Sequence, residues 1–300
     1  MPIKYLLFSL LAVFIWVGNT IVSKLAAAAI PPGTIAFERW FIAFLILTPL
    51  VGRDCWQHRR TVVANLPKLV VLGLLGMAAC QGLGYYAAAF TTATNIAIML
   101  SLVPLLTLGL SVVFNGEKPQ GLALLGGVIS LFGIFVVLGQ GEPSRLLSQG
   151  VGHGDAIMLI AVLAYAGYGI LLRRWAIPLA MWTSVYVQIC AAVALLIPTY
   201  LMSAPSAFNL PNTAMILYAA IPGSILAPFV WMSAVKHVGA ARTAIFMNLI
   251  PILTAIIAAI FLGETLHIYH LVGGGMTITG IILVQRKVSN ERSNIKALAE

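Results

Sequence analysis

The residues able to do chemistry in this 300-residue chain are few, and most of them sit inside long apolar runs. Trp16 and Asn19 stand three apart and Gln81 and Tyr85 four apart, so each pair shares one face of a helix. Tyr165 and Tyr168 repeat the three-residue spacing, and Trp231 and Asn248 add a further aromatic and a further amide. Rings of this kind offer apolar walls, while Asn, Gln and Tyr groups fix the polar ends of a small molecule. A polar side chain facing hydrocarbon is costly, so the set is expected to turn inward, some members lining a cavity and others bonding between helices.

Bond-making chemistry has less to stand on. His58, His153, His237, His267 and His270 fall at the edges of the apolar runs or between them. His267 and His270 are three apart, but no acidic or Cys ligand follows at close spacing, so solvated interfacial histidines are expected and no metal site. Gly273-Gly274-Gly275 lies within an apolar run and lacks the Lys-Ser/Thr of a phosphate loop; it suits close helix packing. Cys55, Cys80 and Cys190 make an odd number, and the last two read as small buried apolar residues. No cofactor is expected.

Glu38 and Arg39 are the one acid–base pair inside an apolar run. Adjacent residues point about 100° apart on a helix, so the two cannot neutralise each other across one face. Two roles stand open: an ion pair with groups on other helices, or a working pair. In the second, Arg39 holds an outward gate or meets a substrate carboxylate, and Glu38 is the proton-sensitive group. Pro104 and Pro251, each in mid-run, free a backbone carbonyl and kink the helix, which suits a gating element. Glu117 and Glu264 follow glycines at run ends, where termination or capping of the next helix outweighs a proton-carrying role. Lys24 and Arg173 read as snorkelling anchors or gate residues.

The elements that must position these residues follow from composition. Hydrophobic residues are 61% of the chain and charged residues 8%, against about 45–50% and about 25% in soluble domains. So few charges cannot cover a water-facing surface, which excludes a soluble enzyme, a disordered chain and a coiled coil. A membrane span needs about 20 apolar residues. Ten such spans are predicted: 5–23, 34–52, 67–89, 92–114, 120–139, 155–172, 180–202, 212–234, 242–262 and 268–285. The runs are too long for barrel strands and lack their alternation, so the spans are helices. With the N-terminus inside, the Lys and Arg residues crowd the inner ends, leaving only Lys24 and Arg145 outside and Arg39 within a span. That bias predicts both termini in the cytoplasm and explains the net charge of +9 without nucleic acid.

The chain also repeats itself. At an offset of 147, residues 94–138 fall on 241–285 and match at about a third of positions, among them Pro104/Pro251, Gly116/Gly263, Glu117/Glu264, Gly126/Gly273 and Gly133/Gly280. At 149, Trp16 falls on Tyr165, Gly18 on Gly167, Asn19 on Tyr168 and Lys24 on Arg173. At 148, Glu38 and Arg39 fall on Tyr186 and Val187. Two halves of five spans follow, 1–140 and 141–300, and since five is odd the second half is inverted. Inverted halves with a site between them are an alternating-access architecture.

Trp16-x-Gly18-Asn19 with Lys24, Arg39-x-x-x-Ala43, the repeated Pro…Gly-Glu and Gly154-Asp155 together resemble the EamA-type branch of the drug/metabolite transporter superfamily. Arg39 matches that family's second-helix arginine, whereas Glu38 is not part of the motif. The resemblance implies an all-α integral membrane protein of ten helices in two inverted repeats. It further implies a secondary active transporter, not an enzyme, exporting amino acids or related polar metabolites across the bacterial inner membrane. The expected partners are a small-molecule substrate, the bilayer and protons as candidate coupling ions, and a monomer is expected. A sugar-phosphate or nucleotide-sugar exchanger is the alternative within transport, and it would need several buried Lys or Arg. A membrane-embedded enzyme is the alternative outside it, and it would need a catalytic cluster at membrane depth.

Overall fold

The structure is a computed structural model that describes residues 3–115, 121–142, 144, 150–238, 243 and 246–299. Gly116, Glu117, Arg145, Gly239 and Arg242 lie outside the described residues.

The helices are α1 (Ile3–Ala26), α2 (Pro32–Gln57), α3 (Leu66–Ala88), α4 (Ala93–Leu100 and Val103–Asn115), α5 (Gly121–Leu138), α6 (His153–Trp175), α7 (Met181–Leu201), α8 (Leu210–Tyr218 continuing through Ala219–Leu226 and Ala227–Val238), α9 (Leu249–Leu262) and α10 (Ile268–Ala299). A short helix, Arg59–Ala64, joins α2 to α3. Among the described residues seven helices are long and apolar enough to cross a membrane; α5, α9 and α10 contribute shorter apolar stretches. Local sequence sets the ends. Pro32 opens α2, where a missing N–H costs nothing. Thr92 accepts from the Asn95 N–H to cap α4, and Gly263 at φ +65° closes α9. The last helix runs past the predicted 285 because neither Gly nor Pro follows to stop it.

Contacts between the helices exchange under a two-fold swap of the halves. Helix α1 packs on α8 and α9 as α6 packs on α3 and α4, while α2 meets α7 and α5 meets α10. The α5–α10 seam shows the swap at atomic scale. A Cβ on Gly133 would lie 2.5 Å from the Gly273 carbonyl oxygen, and one on Gly280 would lie 2.3 Å from that of Gly126. Those four glycines are two repeat-related pairs, so each half supplies the same two close approaches. Without a hydrophobic drive in lipid, such backbone proximity is what holds membrane helices together. The exposed sides are apolar, as with Leu7, Leu11 and Phe14 on α1 or Ile252, Ile256 and Ile260 on α9. In water such faces would aggregate; in lipid they are solvated.

Two irregularities are also shared by the halves. Helix α4 breaks in a turn at Ser101–Leu102 and α9 begins after a turn at Asn248, the position equivalent to Ser101. Pro104 and Pro251 lie three residues beyond each turn, where each removes an N–H and crowds the carbonyl four residues back. The kink expected in mid-helix is therefore a break. Helices α3 and α8 each widen to π geometry, over Leu74–Ala79 and Ala219–Leu226, at corresponding places. Segments of this type concentrate at functional sites.

Gly280→Leu is expected to lower the melting temperature of detergent-purified protein by several degrees, since overpacking costs about 1–3 kcal/mol. Gly275→Leu on the same helix, where a Cβ meets nothing within 4 Å, should leave it unchanged in the same fluorimetric melt.

Candidate functional site

The π segment of α8 creates the first element of the site. Its wider register lets the Ser224 hydroxyl donate to the Ala219 carbonyl five residues back, at 2.8 Å. That leaves the Ser224 Oγ lone pairs facing α2. Arg39 fills the space: its Nε and Nη2 donate to Ser224 Oγ at 3.2 and 2.8 Å. Its Nη1 donates to Gln81 Oε1 and to the Tyr85 hydroxyl, both at 3.0 Å. The four-residue spacing of Gln81 and Tyr85 thus serves one guanidinium. The Trp40 and Tyr85 rings lie 5.0 and 5.7 Å from its central carbon, positions that favour a cation.

Arg39 is only 2% exposed, yet no carboxylate among the described residues pairs with it. Asp54 pairs instead with His58, at 3.3 Å at the far end of α2. Among the described residues, neither Arg39 nor Glu38 pairs with an opposite charge on another helix. Glu38 is half-buried and makes no hydrogen bond or ion pair among the described residues. A buried charge without a counter-ion is expensive. Neutral hydrogen bonds and ring faces offset part of that cost and leave a strong preference for an incoming anion.

The remaining candidates gather around the two π segments. Asn19 packs against the glycine preceding Ser224: a Cβ on Gly223 would lie 2.9 Å from Asn19 Oδ1. That Oδ1 is buried and has no hydrogen-bond partner. One turn earlier on α1, Trp16 meets Trp231 at 5.2 Å and a 57° tilt. On the other side, Tyr168 lies against the π segment of α3, where a Cβ on Gly76 would come 2.7 Å from its ring. Tyr165 stacks on Tyr168 at 5.6 Å. Three and four residues before Tyr165, Val162 and Ala161 are fully buried, yet Tyr165 is 37% exposed. An accessible ring on a buried stripe opens onto interior space, since the lipid face of α6 carries Ile160 and Leu163. Asn248, Pro104 and Pro251 lie at the α4 and α9 breaks.

Two residues escape a sequence reading. Ser224 is a lone hydroxyl in an apolar span, and only the π register gives it meaning. Gln188 on α7 is 0% exposed; its Nε2 donates to Ser184 Oγ at 3.0 Å and its Oε1 has no partner. Its backbone carbonyl oxygen lies 2.5 Å from a Cβ built on Gly73, the residue before the π segment of α3. Helices α2 and α7 begin at Pro32 and Met181, 149 positions apart, which makes Gln188, and not Val187, the counterpart of Arg39. The offset of 149 read from α1 and α6 continues into α2 and α7, and it would have found the match.

The polar ends also differ from expectation. Lys24 is no free anchor: its Nζ donates to the carbonyls of Ala88 and Thr91, at 2.9 and 2.6 Å, and caps α3. Glu264 caps α4, in the other half, and not the helix that follows it. His270 is 8% exposed, accepting from the His267 N–H at 3.1 Å, so the solvated reading fails for it. Among the described residues no three His, Cys, Asp or Glu side chains gather to hold a metal.

Known proteins resemble the chain along most of its length. A transporter of Bacillus subtilis, YyaM, is 25% identical over 96% of this chain and 95% of its own. The inner membrane transporter YedA of Escherichia coli is 26% identical over 90% and 87%. A probable terminal-alkyne amino-acid exporter of Streptantibioticus cattleyicolor is 24% identical over 78% of each. One crystal structure shares the fold with a TM-score of 0.60 at 16% identity, covering 96% of this chain and 99% of that one. The model of the EamA-like transporter family matches twice, over residues 3–139 and 152–286, one match for each set of five helices. The chain therefore belongs to the EamA-like transporter family and is a multi-pass membrane protein built as that family's two-repeat helical bundle.

Proposed function

We propose that the protein is a secondary active exporter of amino acids or similar zwitterionic metabolites. It works by alternating access between the halves 1–140 and 141–300, in a bacterial inner membrane with both termini cytoplasmic, as a monomer and without enzymatic activity. The observation that carries this reading is Arg39, a buried cation whose partners are all neutral. A substrate carboxylate supplies the missing counter-charge, and Asn19 Oδ1, an acceptor without a donor beside Ser224, suits a substrate ammonium. Trp16, Trp231, Tyr165 and Tyr168 give apolar walls. The likeness to a named amino-acid exporter is in keeping with this. The sugar-phosphate alternative fares worse, because Arg39 is the one buried Lys or Arg among the described residues, and a phosphate dianion calls for several.

Counterflow in proteoliposomes tests the assignment. Internal unlabelled amino acids should drive uptake of labelled ones, and the corresponding decarboxylated amines should not. Equal exchange of the amines, or exchange of sugar phosphates alone, would overturn it.

Five variants probe the residues. Arg39→Gln should abolish exchange at unchanged membrane abundance. Ser224→Ala, which removes two of its hydrogen bonds, should raise KM roughly tenfold, the worth of a charge-assisted bond. Trp16→Ala and Tyr165→Ala should each impair exchange if both rings meet one cavity, and wild-type rates in both would remove them from it. Glu38→Gln should impair pH-driven net export yet leave exchange between equal pools, and unchanged pH-driven export would end its proton role.

A further inference from the structure

At one end of the bundle the hairpin tip between α3 and α4 is held from three sides. From α1, Lys24 binds the Ala88 and Thr91 carbonyls. From α6, Asp155 Oδ1 accepts from the Thr91 hydroxyl and, at 3.3 Å, from Asn95 Nδ2. From the end of α9, Glu264 Oε1 accepts from the Ala93 N–H at 2.6 Å, while Oε2 accepts from the Thr94 N–H at 3.2 Å and its hydroxyl at 2.8 Å. Helix α6 also lies flush on the tip, since a Cβ on Gly154 would come 2.8 Å from the Phe90 carbonyl carbon. Both carboxylates belong to the second half and all their donors to the first. Glu264 therefore ties α9, which packs on α1, to α4, which packs on α6, and so joins the two helix groups that alternating access must part, while Asp155 holds the tip within the α3, α4 and α6 group.

The grip is one-sided in part of its sequence. The position equivalent to Asp155 is Leu6, and those equivalent to Thr91 and Thr94 are Val238 and Ala241, whereas Glu264 and Lys24 have Glu117 and Arg173 as counterparts. The two mouths of a symmetric scaffold thus differ at Asp155 and at the threonines it and Glu264 hold. The charge it places at the start of α4 is of the sign a helix N-terminus favours, and hydrogen bonds to an ionised acceptor are the strong kind.

We infer that Glu264 is the latch of the external gate: it clasps the α3–α4 tip, which Asp155 holds in place against α6, closes the outward mouth, and must release it in each transport cycle. The word external rests on the orientation proposed above, with both termini cytoplasmic. The two carboxylates are positioning residues and do not touch substrate.

The test uses a reporter, Tyr165→Cys, in a chain with Cys55, Cys80 and Cys190 replaced by Ala. Its labelling by a charged, membrane-impermeant thiosulfonate is followed in right-side-out and inside-out vesicles. Glu264→Gln and Asp155→Asn should each raise the labelling rate from outside roughly tenfold, the ratio that one charge-assisted hydrogen bond sets. An unchanged rate from both sides overturns the clasp. A rise confined to the inside supports the clasp and overturns the proposed orientation. A second measurement locks the gate instead of loosening it: Thr94→Cys with Glu264→Cys, joined by a short bifunctional thiosulfonate, should lose the transport it has before cross-linking and regain it on reduction. Transport that survives complete cross-linking overturns the gate.

Discussion

Hydrocarbon donates and accepts no hydrogen bonds, so every polar group carried into the spans must be satisfied within the protein. Most of the hydroxyls meet this demand locally. Thr20, Thr48 and Thr277 donate to carbonyls four residues back on their own helices. Such groups need no neighbour and carry little information. Groups too large or too charged for that solution must reach another helix, and they fix how the helices sit. Arg39 alone joins α2 to both α3 and α8. What is left over is a cation with no anion beside it among the described residues, and buried acceptors with no donor, Asn19 Oδ1 and Gln188 Oε1 among them.

The two halves share a scaffold and divide the chemistry. Backbone features obey the exchange closely: the glycine seam of α5 and α10, the breaks in α4 and α9, and the π segments in α3 and α8. These are the features a moving bundle needs twice, once for each side of the membrane. Side chains obey it less. Arg39 stands where the second half has Gln188, and Asp155 stands where the first half has Leu6. A transporter whose two ends were chemically equal would favour neither state. A carboxylate at one end that is a leucine at the other biases the equilibrium, and by thermodynamic necessity a ligand shifts it only through differential affinity for the two states.

How far the site was legible depends on the range of each interaction. Gln81 and Tyr85 could be paired from their spacing, because a helix puts residues four apart on one face. Their shared partner could not, since Arg39 lies on a different helix and bonds through Ser224, a residue indistinguishable by type from any other buried serine. Glu264 was read as a cap because carboxylates after a helix end serve that purpose. Which helix it caps depends on how α9 meets α4, more than 170 positions away along the chain. His270 was misread for a similar reason. A histidine at a span edge is normally wet, and only the packing around the start of α10 buries it.

Class, span number and the two-fold repeat were decided by the sequence itself, because each rests on composition or on periodicity along a single chain. Hydrophobic runs define spans whatever they pack against, and an odd number of spans per repeat forces inversion. The broken helices were half legible: proline announces a disturbance, but whether the helix bends or parts depends on what supports the freed carbonyl. Tertiary structure alone decided the π register that exposes Ser224, the absence of a counter-ion for Arg39 and the grip on the α3–α4 tip. Each of these is a relation between helices distant in sequence, and in a medium that offers no hydrogen bonds of its own, that relation determines what a polar residue does.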